Sequence, residues 1–288
     1  MGLRDALRRP RRAPRPLRRV RWLAARRLVQ ALVIAAFAGA PWSAGAPVVA
    51  GTLAASRWFD AFTLVDPLVV LQAGFAGQAL AWPAVAGALV VAAFVAIVGG
   101  RLFCGWVCPV GLVADAAAAT RRVLGLRRRA WPAPVDRRAR WLVLAGMLAA
   151  SAVAGTLAWE AVNPVTLTGR ALAFGAWGAA AAALAAVFVF DTLLLPRGWC
   201  AHLCPVGALH AVIGRFGVVR VAATRIEACT RCGDCLARCP EPQVLAPLLR
   251  AGAATTTVAA TGDCLRCGRC IERCDADVFD WRMQLHAR

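Results

Sequence analysis

Lysine is absent from this 288-residue chain, and all 34 basic residues are arginine. A coding bias toward arginine accounts for that uniformity, so the information lies in where the charges sit. Acidic residues are few, 15 against 34, which leaves a formal net charge of +19. Such a surplus could suit nucleic acid through phosphate neutralisation, but the arginine positions have another explanation, given below. Histidine occurs only as His202, His210 and His286, none of them in an apolar run. A b-type haem inside a membrane needs axial histidines within its spans, so a di-haem cytochrome is excluded. Cysteine is missing outside four short motifs that hold all 12 copies, with none left for a scattered disulfide framework. Clustering of this kind reads as metal or redox chemistry.

Charge is also missing from long stretches. None occurs between Leu28 and Ser56 or between Pro67 and Gly100, and about 20 apolar residues suffice to cross a bilayer. The predicted fold class is therefore membrane α-helical, with four transmembrane helices at residues 28–50, 80–100, 141–159 and 171–190. Residues 57–78 read as an external loop that touches the interface through Trp58 and Phe59. A cleaved signal peptide is the alternative for the first run, because Ala38-Gly39-Ala40 follows an Arg26-Arg27 start. The uncharged run continues past Ala40, however, for longer than a signal needs.

Residues 1–27 carry eleven arginines against Asp5 alone, and no apolar periodicity begins before Leu28. They read as a basic cytoplasmic tail. That tail, the 101–140 loop with nine and the segment after 191 with twelve hold 32 of the 34 arginines. The other two loops hold Arg57 and Arg170. By the positive-inside rule both termini and the 101–140 loop are expected to be cytoplasmic, in a multi-pass membrane protein. This topology explains the basic surplus, so a membrane and no nucleic acid is expected as partner. Asp66 and Glu160 fall in the external loops as interfacial carboxylates, and a carboxylate near a span end could accept a quinol proton.

An internal repeat follows once the spans are drawn. Arg101-Leu-Phe-Cys-Gly-Trp-Val-Cys-Pro-Val-Gly111 ends the second span, and Arg197-Gly-Trp-Cys-Ala-His-Leu-Cys-Pro-Val-Gly207 ends the fourth. The membrane region, 28–216, is thus two repeated hairpins, related by an axis along the membrane normal as parallel repeats are. That symmetry would bring Cys104, Cys108, Cys200 and Cys204 together. On a helix, positions i and i+4 share a face, so each Cys-x3-Cys pair could present two thiols. Arg101 and Arg197 could lower the thiol pKa. The four cysteines could act as dithiols, hold a further metal, or pack as small apolar residues.

Residues 217–288 read as a small C-terminal two-cluster ferredoxin domain of bacterial type. Cys229-Thr-Arg-Cys232-Gly-Asp-Cys235-Leu-Ala-Arg-Cys239-Pro240 has the C-x2-C-x2-C-x3-C-P spacing of such ferredoxins. Cys264-Leu-Arg-Cys267-Gly-Arg-Cys270-Ile-Glu-Arg-Cys274 repeats it. Three thiolates on a tight loop cap three irons of a cubane, and the fourth iron takes a ligand from elsewhere. In two-cluster ferredoxins the fourth cysteine of each run serves the other cluster. Cys229, Cys232, Cys235 and Cys274 are therefore assigned to one [4Fe-4S] cluster, and Cys264, Cys267, Cys270 and Cys239 to the other. Zinc is the competing reading, since four-thiolate zinc sites also use Cys-x2-Cys pairs, but tandem runs of this spacing are rare among them. Asp275 stands where the first run has Pro240, which leaves the turn after Cys274 open.

This order of spans, paired Cys-x3-Cys-Pro motifs and a two-cluster segment resembles the NapH-type quinol dehydrogenase membrane subunit of periplasmic nitrate reductase systems. The resemblance includes Gly105-Trp106-Val107, Arg197-Gly198-Trp199 and Cys239-Pro-Glu-Pro-Gln243, and leaves out only the basic tail. It implies an electron-transfer subunit, not a stand-alone enzyme, with membrane quinol as donor. Its implied partners are a periplasmic NapG-type iron-sulfur protein and a NapC-type haem quinol dehydrogenase. The core is also similar to the ferredoxin-type protein of methylamine utilisation and to parts of the cytochrome oxidase assembly and nitrous oxide reductase accessory proteins. A redox assembly or maturation factor is thus the rival function.

Overall fold

The structure is a computed structural model that describes residues 20–39, 48–126, 136–250, 257–258 and 261–283. Most of the basic tail, part of the 101–140 loop and His286 lie outside the described residues. In chain order the elements are α1 (Arg21–Gly39), β1 (Val49–Gly51), β2 (Ala55–Trp58), β3 (Phe62–Val65), α2 (Pro67–Phe75) and α3 (Trp82–Val98). The first repeat motif follows as α4 (Leu102–Trp106) and α5 (Pro109–Val123). Then come α6 (Ala139–Ala154), α7 (Pro164–Phe174) and α8 (Trp177–Val189), the last continuing as a π-helical turn over Phe190–Leu194. A second π-helical turn, Trp199–Leu203, leads into α9 (Pro205–Ile213). The C-terminal part holds β4 (Val219–Ala223), α10 (Asp234–Arg238), α11 (Pro242–Arg250), β5 (Thr257–Val258), α12 (Arg269–Arg273) and β6 (Phe279–Met283). The chain forms two compact units, one of residues 29–94 and 107–210, the other of residues up to 28, 95–106 and 211 onward.

Two helices are long and apolar enough to cross a bilayer, Arg21–Gly39 and Trp177–Leu194. The expected spans at 80–100 and 141–159 correspond to the shorter apolar helices α3 and α6, of 17 and 16 residues. At 1.5 Å per residue these reach about 25 Å, short of the roughly 30 Å hydrocarbon layer. Left-handed glycines set both ends, Gly99 (φ 94°) after α3 and Gly155 (φ 64°) after α6. The outward faces stay apolar all the same, with Leu32, Leu89, Phe94, Ile97, Leu142 and Val153 exposed, a surface that suits lipid better than water.

Three expected boundaries are corrected. The helix expected at 28–50 starts earlier, at Arg21, and β1 already occupies Val49–Gly51. The span expected at 171–190 is broken at Gly175, whose left-handed φ of 73° closes α7 before α8 begins. The loop expected at 57–78 is structured. Its first part is the β2–β3 hairpin, pairing Trp58 with Phe62 and Ala55 with Val65. Its second is α2, which Asp66 starts by accepting from the Leu68 amide with Pro67 at the first helical position.

Within the larger unit, α2 is buried through Leu68 and Gln72. Leu68, Met147, Trp159 and Val206 form one apolar core, with Trp199 and Cys204 packed against it. Beside that core lies a polar network. Gln72 Nε2 donates to Glu160 at 3.2 Å, the Trp159 amide donates to Gln72 at 3.0 Å, and Asn163 and Thr166 both hydrogen-bond Glu160. Asp66 stands 3.8 Å from His210, and Trp159 stacks on Trp199 at 6.1 Å. Counting arginines alone would put Asp66 and Glu160 on the opposite side of a membrane from His210; folding joins Asp66 to His210.

In the other unit β4 is the central strand, antiparallel to β5 and β6, with Val221 opposite Trp281 and Ala223 opposite Phe279. Strand β4 reads Val-Arg-Val-Ala-Ala and is buried along almost its whole length, because α11 covers it. The core there is Val221, Val244, Leu245, Leu248, Val278 and Phe279, with Cys235 and Cys270 at its edge. Fully burying each Leu or Val contributes roughly 1.5–3 kcal/mol, which the cysteine loops, rich in Gly and Arg, do not supply.

Candidate functional site

The two four-cysteine runs take the same backbone path. In each, the arginine third in the run is left-handed, Arg231 at φ 53° and Arg266 at φ 51°. The glycine fifth in the run is left-handed too, Gly233 at 78° and Gly268 at 69°, and a short helix begins directly after it, α10 or α12. Left-handed residues that alternate with others in a turn make it concave, with successive backbone amides able to face an anion. Each run then ends on a cysteine in extended conformation, Cys239 (φ −67°, ψ 129°) and Cys274 (φ −84°, ψ 110°). Proline imposes that shape on Cys239. Cys274 reaches it without one, held by the Val278 amide donating to its Sγ at 3.3 Å, but the turn that follows differs: the chain passes through left-handed Asp277 (φ 49°) into β6, where the first run passes from Pro240 into α11.

The fourth cysteines cross over. The Cys235 thiol is pushed up to about 12 by burial and by its neighbours Cys274, Cys232 and Cys229. Cys239, raised by burial, has Cys267 and Cys264 as its neighbours. Cys264 is pushed up to about 11 by burial. A cavity lined by Cys239, Cys264, Cys267 and Cys270, with Pro240, Glu241 and Leu265 among its walls, sits at the second run. Each fourth cysteine thus has cysteines of the other run among its neighbours, while among the described residues no three metal-ligating side chains converge at the spacing of a single bound ion.

The second run is buried where the first is exposed. Leu265, Arg266, Cys267 and Gly268 are all buried, while Thr230, Arg231 and Asp234 face solvent. The cover comes from the first repeat motif. The Arg101 amide donates to the Cys264 carbonyl at 2.9 Å, and Trp106 Nε1 donates to the Arg266 carbonyl at 3.0 Å. A Cβ on Gly100 would stand 2.2 Å from the Cys264 carbonyl oxygen, and one on Gly105 2.7 Å from that of Leu265. Arg101 itself is fully buried and pairs with Glu241 at 2.6 Å. From the N-terminal side, the Trp22 and Leu23 amides donate to Glu272 on α12, and the Trp22 ring meets Trp106 and Trp281 edge-on. A carboxylate at the first turn of α1 favours its positive end, which is why residues 21–27, expected as tail, are helical.

The Cys-x3-Cys-Pro pairs do not lie on continuous helices. Cys104 is in the short α4, but Cys108 is extended (φ −61°, ψ 124°) and caps α5. Cys200 is in a π-helical turn, and Cys204 is again extended (φ −71°, ψ 113°) before α9. The residue before proline is driven out of the helical region, while proline suits the first helical position. Each pair therefore straddles a break, which corrects the shared-face expectation. Arg101 and Arg197 are both engaged by carboxylates, Glu241 and Asp115 respectively. Cys104 belongs to the unit of the four-cysteine runs, and Cys108, Cys200 and Cys204 to the other.

Comparison with known proteins matches residues 79–134 and 177–222 to a 4Fe-4S binding domain, and residues 223–275 to a 4Fe-4S dicluster domain. The chain is 43% identical over 219 residues to the methylamine utilization ferredoxin-type protein MauN of Methylorubrum extorquens, covering 76% of this chain and 75% of that one. It is 42% identical over 215 residues to the ferredoxin-type protein NapH of Escherichia coli, covering 75% and 73%. The chain belongs to the NapH and MauN family of ferredoxin-type proteins. No solved structure matches it.

As a ferredoxin-type iron-sulfur protein of this family, the chain must accommodate anionic clusters, and one buried group tests the fit. Arg266 is 2% exposed, and none of its guanidinium nitrogens has a hydrogen-bond partner among the described residues. An isolated buried cation costs several kcal/mol; a cluster held by Cys264 and its neighbouring thiolates would supply the missing negative charge, so the residues fit such a group. Spacing alone did not single out Arg266, Glu241, Trp22 or Glu272, nor the pairing of Arg101 with Glu241, because their partners are up to 250 residues away in sequence.

Proposed function

We propose that the protein is a membrane electron-transfer subunit that passes electrons from quinol toward a periplasmic reductase, nitrate reductase in the first instance, through two [4Fe-4S] clusters. Cys229, Cys232, Cys235 and Cys274 hold one cluster, and Cys264, Cys267, Cys270 and Cys239 the other. Each cluster, when bound, would supply one-electron transfer. The observation that carries this reading is the seating of Gly99–Trp106, the end of an apolar helix, on the loop of the second cysteine run. There the Arg101 amide donates to the Cys264 carbonyl and Trp106 Nε1 to the Arg266 carbonyl, on either side of Cys104. The partners proposed are a NapG-type iron-sulfur protein and a NapC-type haem quinol dehydrogenase.

The proposed topology has four spans, both termini cytoplasmic and the protein in the bacterial inner membrane. The Asp66–His210 approach then requires α2 or the Trp199–His210 segment to re-enter the membrane from its own side. Re-entrant backbone is tolerated where it is buried in protein, and the Gln72, Glu160 and Asn163 network satisfies its own polar groups. Reporter fusions after residues 60, 120, 165 and 225 are expected to read outside, inside, outside, inside. An outside reading at 225 overturns the placement of the clusters.

The Cys-x3-Cys-Pro pairs are proposed to link the quinol side to the clusters. A Cys104→Ala, Cys200→Ala double substitution is expected to leave both cluster signals in place while quinol-linked electron transfer falls about tenfold or more, as for a lost redox step. Unchanged transfer would return these residues to packing. A second reading rests on the MauN relatives, which match as well as NapH does: a redox or maturation role in methylamine utilisation. Reduction of a purified NapG-type protein by quinol in the presence of this chain separates the two, since only the first reading requires it.

A further inference from the structure

The two cysteine runs share sequence spacing and backbone shape, but their third residues have opposite fates. Arg231 projects into solvent, whereas Arg266 is enclosed. The enclosure is tight. A Cβ on Gly99 would lie 2.6 Å from Arg266 Nη2, and one on Gly100 2.7 Å from its Nε. The glycine pair that ends α3 thus makes room for the guanidinium and separates it from water. Arg220, also buried, adds a like charge in the neighbourhood instead of relieving it. Arg101 is the other buried cation here, and its carboxylate partner is Glu241. Arg266 has no carboxylate partner among the described residues; its electrostatic partner is Cys264.

A four-thiolate [4Fe-4S] cluster carries a net charge of about −2, deepened by one on reduction, and net charge together with solvent exposure sets its potential. Burial alone disfavours the added electron. A fixed cation in the same low-dielectric surroundings favours it, and water screens such a charge far less there than at a surface. We infer that Arg266 is the resident counter-charge of the cluster held by Cys239, Cys264, Cys267 and Cys270, and that it raises that cluster's reduction potential. Arg231 has no comparable effect on the other cluster. Arg266 acts as a positioning charge, without binding iron. This inference rests on the ligand assignment above.

The test is a potentiometric titration followed by electron paramagnetic resonance on the anaerobic holoprotein. Cys232→Ala and Cys267→Ala first identify which signal belongs to which run. Arg266→Gln is expected to lower the potential of the Cys267 cluster by at least 59 mV, a tenfold change in its one-electron reduction equilibrium. Arg266→Lys should retain most of the wild-type value, and Arg231→Gln should leave the other cluster unmoved. Glu241→Gln removes a negative charge from the wall of the same cavity, while its amide can still accept from Arg101. It should shift the same cluster the other way, so the inference stays testable if Arg266→Gln fails to assemble. Unchanged potential in Arg266→Gln, or no upward shift in Glu241→Gln, overturns it. If Cys267→Ala instead leaves both signals intact, the ligand assignment has failed and the inference falls with it.

Discussion

Replacing Cys274 by alanine is expected to remove the cluster whose remaining ligands are Cys229, Cys232 and Cys235, from the other run, and to spare the one beside it. The reason is the crossover. Cys274 leaves its own run in an extended conformation, and its thiol neighbours are Cys229 and Cys232. Iron per chain should drop from about eight toward about four, the content of one cubane. The surviving signal should be that of the buried cluster, with its magnetic coupling to a neighbour lost. Iron and sulfide analysis with electron paramagnetic resonance on anaerobic protein provides the check. Loss of the signal that Cys267→Ala removes would mean that each run serves its own cluster, and zinc in place of iron would refute the cofactor.

Arg101→Ala should be among the most damaging single changes outside the cysteines. It leaves Glu241 buried without its cation, and breaking a buried pair from one side typically costs about 3–5 kcal/mol. Replacing both partners by methionine should recover most of that loss, because two desolvation penalties vanish with the attraction. Denaturant unfolding of the detergent-solubilised holoprotein reads the difference. The same substitution loosens the cover over the Cys264 loop, so the buried cluster should become more sensitive to oxygen than the exposed one. A cost below about 1 kcal/mol, the range of surface ion pairs, would mean that Gly99–Trp106 is not seated as described.

Much of the site was legible before any fold was known, because iron ligation is a local requirement. The spacing of Cys229 to Cys239 and Cys264 to Cys274 is dictated by the reach of one tight loop around a cubane, and the structure gives both runs one backbone shape. The apolar helices were legible for the same reason: a continuous run of uncharged residues has few ways to satisfy its backbone other than by helix. Their ends were not. The breaks at Gly99, Gly155 and Gly175 depend on left-handed glycines, and Gly occurs 25 times in the chain. The Asp66-Pro67 and Asn163-Pro164 starts of α2 and α7 were readable as cap and first-turn signals, yet both lie in segments that the charge pattern assigned to external loops.

Sequence by itself determined the chemistry: which residues can hold iron, in which order, and that they are joined to apolar helices. It did so because ligand identity and short-range spacing are properties of neighbouring residues. Tertiary structure alone decided how the two cysteine runs differ. Arg231 and Arg266 occupy the same place in identical spacing, and only the seating of Gly99–Trp106 and Trp22 buries one and leaves the other in water. Electrostatic strength depends on distance and on the dielectric around a charge, and both are fixed by residues far apart in the chain.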